Sequence, residues 1–282
     1  VGALEQPNAV LGSKGQVRNA AENTVVAPWN DAGILEEILE RHKGRVAAVI
    51  MEPVLCNSGC LMPRDGYLRQ VQDLCRRHGC LLIFDEVITG FRMALGGAQQ
   101  FYGVTPDIAT FGKAIGGGAT LSAVAGREQI MMQIMTGGVA FGGSFNGNPV
   151  AMACCRATLT ELARNDGAAL TRINALGERL KAGIAGLARK HGIALTVTGF
   201  GAAFALHFTR RNALTHYRDT YDDDPQMLRQ FLISALRHHV HMVPDGRMYV
   251  SAAHTDADID ETIEHLDHAF EELRQWAGPG AV

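Results

Sequence analysis

No apolar stretch in the 282 residues is long enough to span a membrane: the longest, 46–51 and 80–84, fall far short of the ~20 residues a helix needs to cross a bilayer. Charge of one sign is not in excess either. Lys and Arg number 26 against 29 Asp and Glu, and the net charge of −3 gives no electrostatic footprint for nucleic acid or an anionic membrane surface. Residues 1–13 lack a basic start followed by an apolar run, which argues against a secretory signal and for a cytoplasmic protein. Position 1 is Val rather than Met, so the start reads as cut. Internal repeats and low-complexity tracts are missing, and Asp222 to Asp224 before Pro225 reads as a solvated loop.

What is present is ordinary for a globular protein, with 47% hydrophobic and 20% charged residues, and at roughly 150 residues per domain the length points to about two domains. Glycine is plentiful at 32 residues against a usual share of ~7%, which favours an α/β enzyme with backbone positions that need positive φ or close ligand approach. Four of the six cysteines form C-x3-C (Cys56, Cys60) and C-x4-C (Cys75, Cys80) with His78 between, a pattern that raises zinc. Structural zinc pairs are usually tighter and sit on turns, whereas Cys75 lies on an apolar helix face and Cys80 opens an apolar strand. Reduced thiols packed as small hydrophobes fit better, and no metal is expected.

Ile34, Leu35, Ile38 and Leu39 have helical spacing from Asp31 to a stop at Gly44. Residues 46–51 then read as a strand, Leu68, Val71, Leu74 and Cys75 as an amphipathic helix ending near Gly79, and 80–84 as a second buried strand. This β-α-β pattern implies a mostly parallel sheet covered on both faces, with ligands at the carboxyl ends of its strands. A third strand is expected over 107–111, a fourth over 122–126, and a helix over 149–164 with Asn148 as N-cap and Pro149 at its first position. Beyond about residue 166 a smaller α/β unit is expected: a helix to His191, strands near 194–198 and 203–208, a helix over 226–239, a strand near 248–251 and a terminal helix from Asp256. The expected division is therefore 1–165 and 166–282.

Glu52 and Asn57 follow the first strand, Asp85 ends the second and Lys113 follows the third, so all four fall on one edge. Alone, a strand-end Asp is as often a cap as a catalytic group, and a lone Lys is usually solvated. The glycines after Lys113 do not make a P-loop, because Ala114 stands where Ser or Thr is required.

The run Phe84-Asp85-Glu86-Val87-Ile88-Thr89-Gly90-Phe91-Arg92, then Tyr102-Gly103-Val104-Thr105-Pro106-Asp107, Gly112-Lys113 and Gly143-Ser144-Phe145-Asn146-Gly147-Asn148-Pro149, resembles the class III pyridoxal-phosphate aminotransferases, nearest their glutamate-1-semialdehyde aminomutase branch. The resemblance runs from about Asn23 to Leu273. It implies a fold-type-I transferase: the lysine-bearing part of the large cofactor domain, then a small C-terminal domain. It implies pyridoxal 5′-phosphate as cofactor, with Lys113 linked to its aldehyde and shuttling the substrate proton, and Asp85 paired with the pyridinium nitrogen. Val87 would pack on the ring, Asn57 would bond the phenolic oxygen, and Ser144 would reach the phosphate of a neighbouring subunit in a homodimer. Arg247 and Glu52 are weighed as substrate-binding, Arg247 against a plain turn at Pro244-Asp245-Gly246.

The pattern departs from the family in three places. Family members carry a preceding segment with a phosphate loop and a ring-stacking aromatic, and this chain begins after both. Ile88 stands where many ω-aminotransferases have Gln. Gly246 replaces the glutamate of the aminomutases. The expected activity is transamination between an amino acid or amine donor and a keto or aldehyde acceptor. The alternatives are intramolecular transfer of the aminomutase kind and a catalytically silent fragment.

Overall fold

The computed structural model describes residues 13–17, 19 and 21–278. Helix α1 (Ala32–Arg41) starts where Asp31 Oδ1 accepts the Ile34 N–H at 2.9 Å, and it buries Leu35, Ile38 and Leu39. Strand β1 (Ala48–Met51) leads to helix α2 (Tyr67–His78), whose Leu68, Val71, Leu74 and Cys75 face the core. The helix stops at Gly79, which takes the left-handed conformation that a side chain would resist. Strand β2 (Leu81–Asp85), helix α3 (Gly97–Tyr102), strand β3 (Ile108–Phe111), strand β4 (Ala123–Gly126) and helices α4 (Glu128–Met135) and α5 (Pro149–Ala163) follow.

The four strands form one sheet in the order β1-β2-β3-β4, with the first three parallel and β4 antiparallel to β3. Parallel neighbours need a crossover, which α2 supplies between β1 and β2, so the carboxyl ends of three strands meet on one edge. The expected cover on both faces is only partly met. Ile50 in β1 is 67% exposed, and α4 buries no residue.

After Asn165 and Asp166, both at positive φ, the chain enters α6 (Ala168–Lys190), β5 (Thr196–Phe200), β6 (Ala203–His207), α7 (Pro225–Arg237), β7 (Arg247–Tyr249) and α8 (Asp256–Ala277). The three strands make an antiparallel sheet in the order β5-β6-β7. Phe231 of α7 meets Phe270 of α8 with ring centroids 4.6 Å apart. At Gly177 of α6 a Cβ would lie 1.6 Å from the Gly201 carbonyl oxygen, so only glycine lets this helix approach the β5–β6 turn. One core cluster joins Val54, Cys56, Cys60 and Ile88 to Phe204, Phe231 and Leu266, so the two sheets share an apolar centre.

Most expected elements are present with ends moved by one to three residues, but α3 and α4 were not expected. Helix α3 begins with two glycines and has no local polar cap. All six cysteines are free thiols. Cys60 and Cys80 are buried and donate to the carbonyls of Cys56 and Cys75, at 3.8 and 3.7 Å, as packed thiols do.

Candidate active site

Asp85 is the last residue of β2 and lies in register with Thr110 of β3. Its Oδ1 accepts the Val87 N–H at 3.0 Å and the Thr110 hydroxyl at 3.4 Å, while Oδ2 accepts no hydrogen bond from a described residue. The carboxylate is thus tethered through one oxygen and presents the other. Strand alternation sends the next residue inward. Glu86 is fully buried and accepts the Thr89 hydroxyl (2.8 Å), the Ala98 N–H (2.7 Å) and the Gln99 N–H (3.1 Å). This carboxylate supplies the missing cap of α3 from 12 residues away and fixes the turn beside Asp85.

Val87 packs on Gly112, where a Cβ would come within 3.3 Å of Val87 Cγ1. Lys113 follows directly with φ +51, a left-handed backbone that costs a side-chain-bearing residue about 1–3 kcal/mol and is characteristic of functional positions. Its side chain is exposed and makes no ion pair or hydrogen bond with a described residue. The β2–β3 pairing therefore brings Asp85, Val87 and the Lys113 turn to one end of the sheet.

Glu52 follows β1, and its carbonyl accepts the Trp29 indole N–H at 3.0 Å. Its Oε2 accepts the amides of Cys56 (3.1 Å) and Asn57 (3.2 Å), which closes a short 3-10 turn at Cys56–Ser58. Burial pushes the Glu52 carboxyl above the usual range and the Asp85 charge adds to this, while the bonds from Asn57 and Cys56 offset it in part. The folded state therefore holds this proton to higher pH than the unfolded chain, and that share of stability is lost as pH rises through the folded-state value.

Arg247 opens β7 after Gly246, whose φ is +82. Its Nε and Nη2 lie 2.8 and 2.6 Å from Asp245 Oδ2, and Nη1 donates to Asn57 Oδ1 at 3.0 Å. Burial raises Asp245, but the Arg247 hydrogen bonds more than reverse this and leave its carboxyl below the usual range. The Pro-Asp-Gly turn is present, and the Arg247 guanidinium reaches across to Asn57. Asn57 is held between Arg247 and Glu52, a link between two units rather than a free amide.

Ser144 is exposed in the segment before α5 and makes no hydrogen bond with a described residue. Asn148 caps that helix as expected, accepting the Val150 and Ala151 amides at 3.0 and 3.2 Å. Sequence reasoning missed Thr110, Glu86 and Arg92. Arg92 donates to the Ile88 carbonyl at 2.6 Å, stands 5.6 Å over the Tyr249 ring, and is lowered by burial. Only Thr110 left a signal, as a hydroxyl near the end of the strand that precedes the lysine.

The family model for class III aminotransferases matches residues 11–270. A glutamate-1-semialdehyde 2,1-aminomutase of Acetivibrio thermocellus is 38% identical over 273 residues, covering 96% of this chain and 62% of that enzyme. The chain thus spans less than two thirds of the length of this curated relative. Among solved structures, an omega-transaminase from Sphaerobacter thermophilus superposes with a TM-score of 0.88 at 27% identity, over 96% of this chain and 63% of that one. A transaminase with PLP bound gives 0.83 at 27% identity, over 94% and 61%. The parallel sheet with its antiparallel fourth strand and the smaller α/β unit are those of the fold-type-I transferases. With a family model matched over residues 11–270, nearly the whole chain, the chain belongs to the class III aminotransferases.

Proposed function

We propose pyridoxal 5′-phosphate-dependent transfer of an amino group from an amino acid or amine to a keto or aldehyde acceptor, carried out by a cytoplasmic homodimer. The observation that carries this reading is the Asp85 carboxylate, tethered through Oδ1 and open at Oδ2, on the strand paired with the one that leads to Lys113. An open carboxylate oxygen fits a pyridinium N–H, and an unpaired lysine amine fits an aldehyde. When bound, the cofactor supplies that aldehyde and a ring that draws electrons from the substrate's α-carbon.

Asp85 Oδ2 would accept the ring N–H, and its charge would favour the protonated nitrogen. Lys113 Nζ would hold the cofactor through its aldehyde and would serve as the base that moves the substrate's α-proton. Val87 supports the ring. Asn57, whose Oδ1 accepts from Arg247 and whose side chain also bonds Glu52, would offer its remaining Nδ2 hydrogen to the phenolic oxygen. Ser144 reaches the phosphate held by the partner subunit. Phe141 (60% exposed), Phe145 (83%) and Val150 (71%) surround Ser144 in sequence, an apolar surface that supports its place in a dimer contact. We assign 1–165 to the cofactor domain and 166–282 to the small domain, with the kink at Asn165 and Asp166 as the joint. Borohydride added after the cofactor should leave its mass on the peptide that contains Lys113. A label on any other lysine, or none, overturns the reading.

Gly246 favours transfer to an external acceptor over the mutase reaction that the name of the 38% identical relative suggests, because position 246 carries no carboxylate and that of its neighbour Asp245 is taken up by Arg247. Turnover is then expected only with donor and acceptor together, and isomerisation of one amino-aldehyde without acceptor would establish the mutase instead. Arg247→Ala is expected to raise KM for carboxylate-bearing donors about tenfold, with kcat and simple amines little affected, since the guanidinium fork suits a carboxylate. Steady-state kinetics on matched acid and amine donors checks this. Equal effects on both classes would return Arg247 to a structural role.

A further inference from the structure

We propose that Thr198 and His207 are positioning residues for the active site, gripping the Gly59 carbonyl so that the turn carrying Asn57 is set by the second sheet. The inference rests on the reading of Asn57 and Glu52 as site residues. Gly59 closes the Cys56–Ser58 turn with φ +95. Its carbonyl oxygen, which can only accept, takes the Thr198 hydroxyl at 2.5 Å, and His207 Nε2 lies 3.0 Å from the same oxygen. The hydroxyl and Nε2 are themselves 2.9 Å apart. His207 Nδ1 lies 2.6 Å from Asp223 Oδ2, which fixes the ring from the other side.

His207 is 4% exposed, so its polar atoms depend on these partners for the hydrogen bonds that water would otherwise give. The fit is close. A Cβ at position 59 would lie 2.5 Å from His207 Cε1, so both the backbone conformation and the imidazole demand glycine there.

The grip has a consequence for the site because of where it sits. Thr198 belongs to β5 and His207 to β6, while β7, paired with β6, sends Arg247 to Asn57 Oδ1. The second sheet therefore holds the turn at Gly59 and at Asn57, two residues apart. Glu52 holds the same turn from the first sheet through the Cys56 and Asn57 amides. If Gly59 is released, the turn keeps only its Arg247 and Glu52 contacts, and Asn57 is held less firmly relative to Asp85.

The test uses Thr198→Val, which keeps the branched shape and deletes the donor, with Thr198→Ser as the conservative restoration. In the cofactor-free protein, amide hydrogen exchange at Cys56 and Asn57 is expected to rise at least tenfold in Thr198→Val and to return in Thr198→Ser, with β6 and β7 amides unchanged. After loading with pyridoxal 5′-phosphate, the Kd for cofactor should rise at least fivefold in Thr198→Val and recover in Thr198→Ser. Exchange at 56–57 within twofold of the parent, an equal rise throughout β5–β7, or an unchanged cofactor Kd overturns the proposal. The exchange arm contains no cofactor, so its outcome is separate from whether the cofactor reading holds.

Discussion

Replacing Lys113 with alanine is expected to abolish turnover, by on the order of 10⁴-fold or more, while cofactor still binds non-covalently. The loss is large because, in the proposed function, one amine would serve as both covalent anchor and proton carrier. Among the described residues, those placed beside it on this edge are Glu52, Asn57, Asp85 and Val87, none of them a lysine. Binding survives because the ring partner and the packing come from β2 and its following turn. Alanine at φ +51 keeps the same backbone penalty that lysine already bears, so the folded state is not specifically disturbed. Single-turnover kinetics and equilibrium dialysis of the alanine variant separate the two effects. Near-normal turnover would remove Lys113 from the mechanism.

Asp85→Asn should cost about 10²–10³-fold in kcat with little change in stability. The amide oxygen can still accept the Val87 N–H and the Thr110 hydroxyl, so the side chain stays where it is. What changes is the free end. The oxygen that would accept from a protonated ring nitrogen becomes an N–H₂ that donates, and the charge that would favour protonation is gone. The loss should therefore lie in kcat and in the absorbance of the bound cofactor, with KM for donor nearly constant. An Asp85→Asn protein that reacts at the parent rate would mean that another group stabilises the developing charge.

The parts of this structure that were legible in the sequence are those whose cause is local. The short apolar runs gave β1 and β2, the spacing of Leu68, Val71, Leu74 and Cys75 gave α2, and Asp31 and Asn148 marked two helix starts because a cap bonds amides two or three residues away. The strand-end placement of Glu52, Asp85 and Lys113 followed from counting along each run, and the parallel β1-β2-β3 order puts them on one edge. Helices α3 and α4 escaped notice. The first is capped by Glu86 across a turn of the fold, and the second buries nothing that would impose an apolar period.

By itself, then, the order of residues determined most of the strands and helices, the strand ends at which Glu52, Asp85 and Lys113 fall, and which family the chain resembles. Tertiary structure alone decided that β4 runs antiparallel, that Glu86 caps α3, that Asn57 is shared by Glu52 and Arg247, and that His207 reaches Gly59. The reason is physical. Side-chain period and capping act over a few residues and leave a pattern, whereas a hydrogen bond between residues 59 and 207 forms only after two sheets have packed around a common core, and no spacing along the chain encodes it.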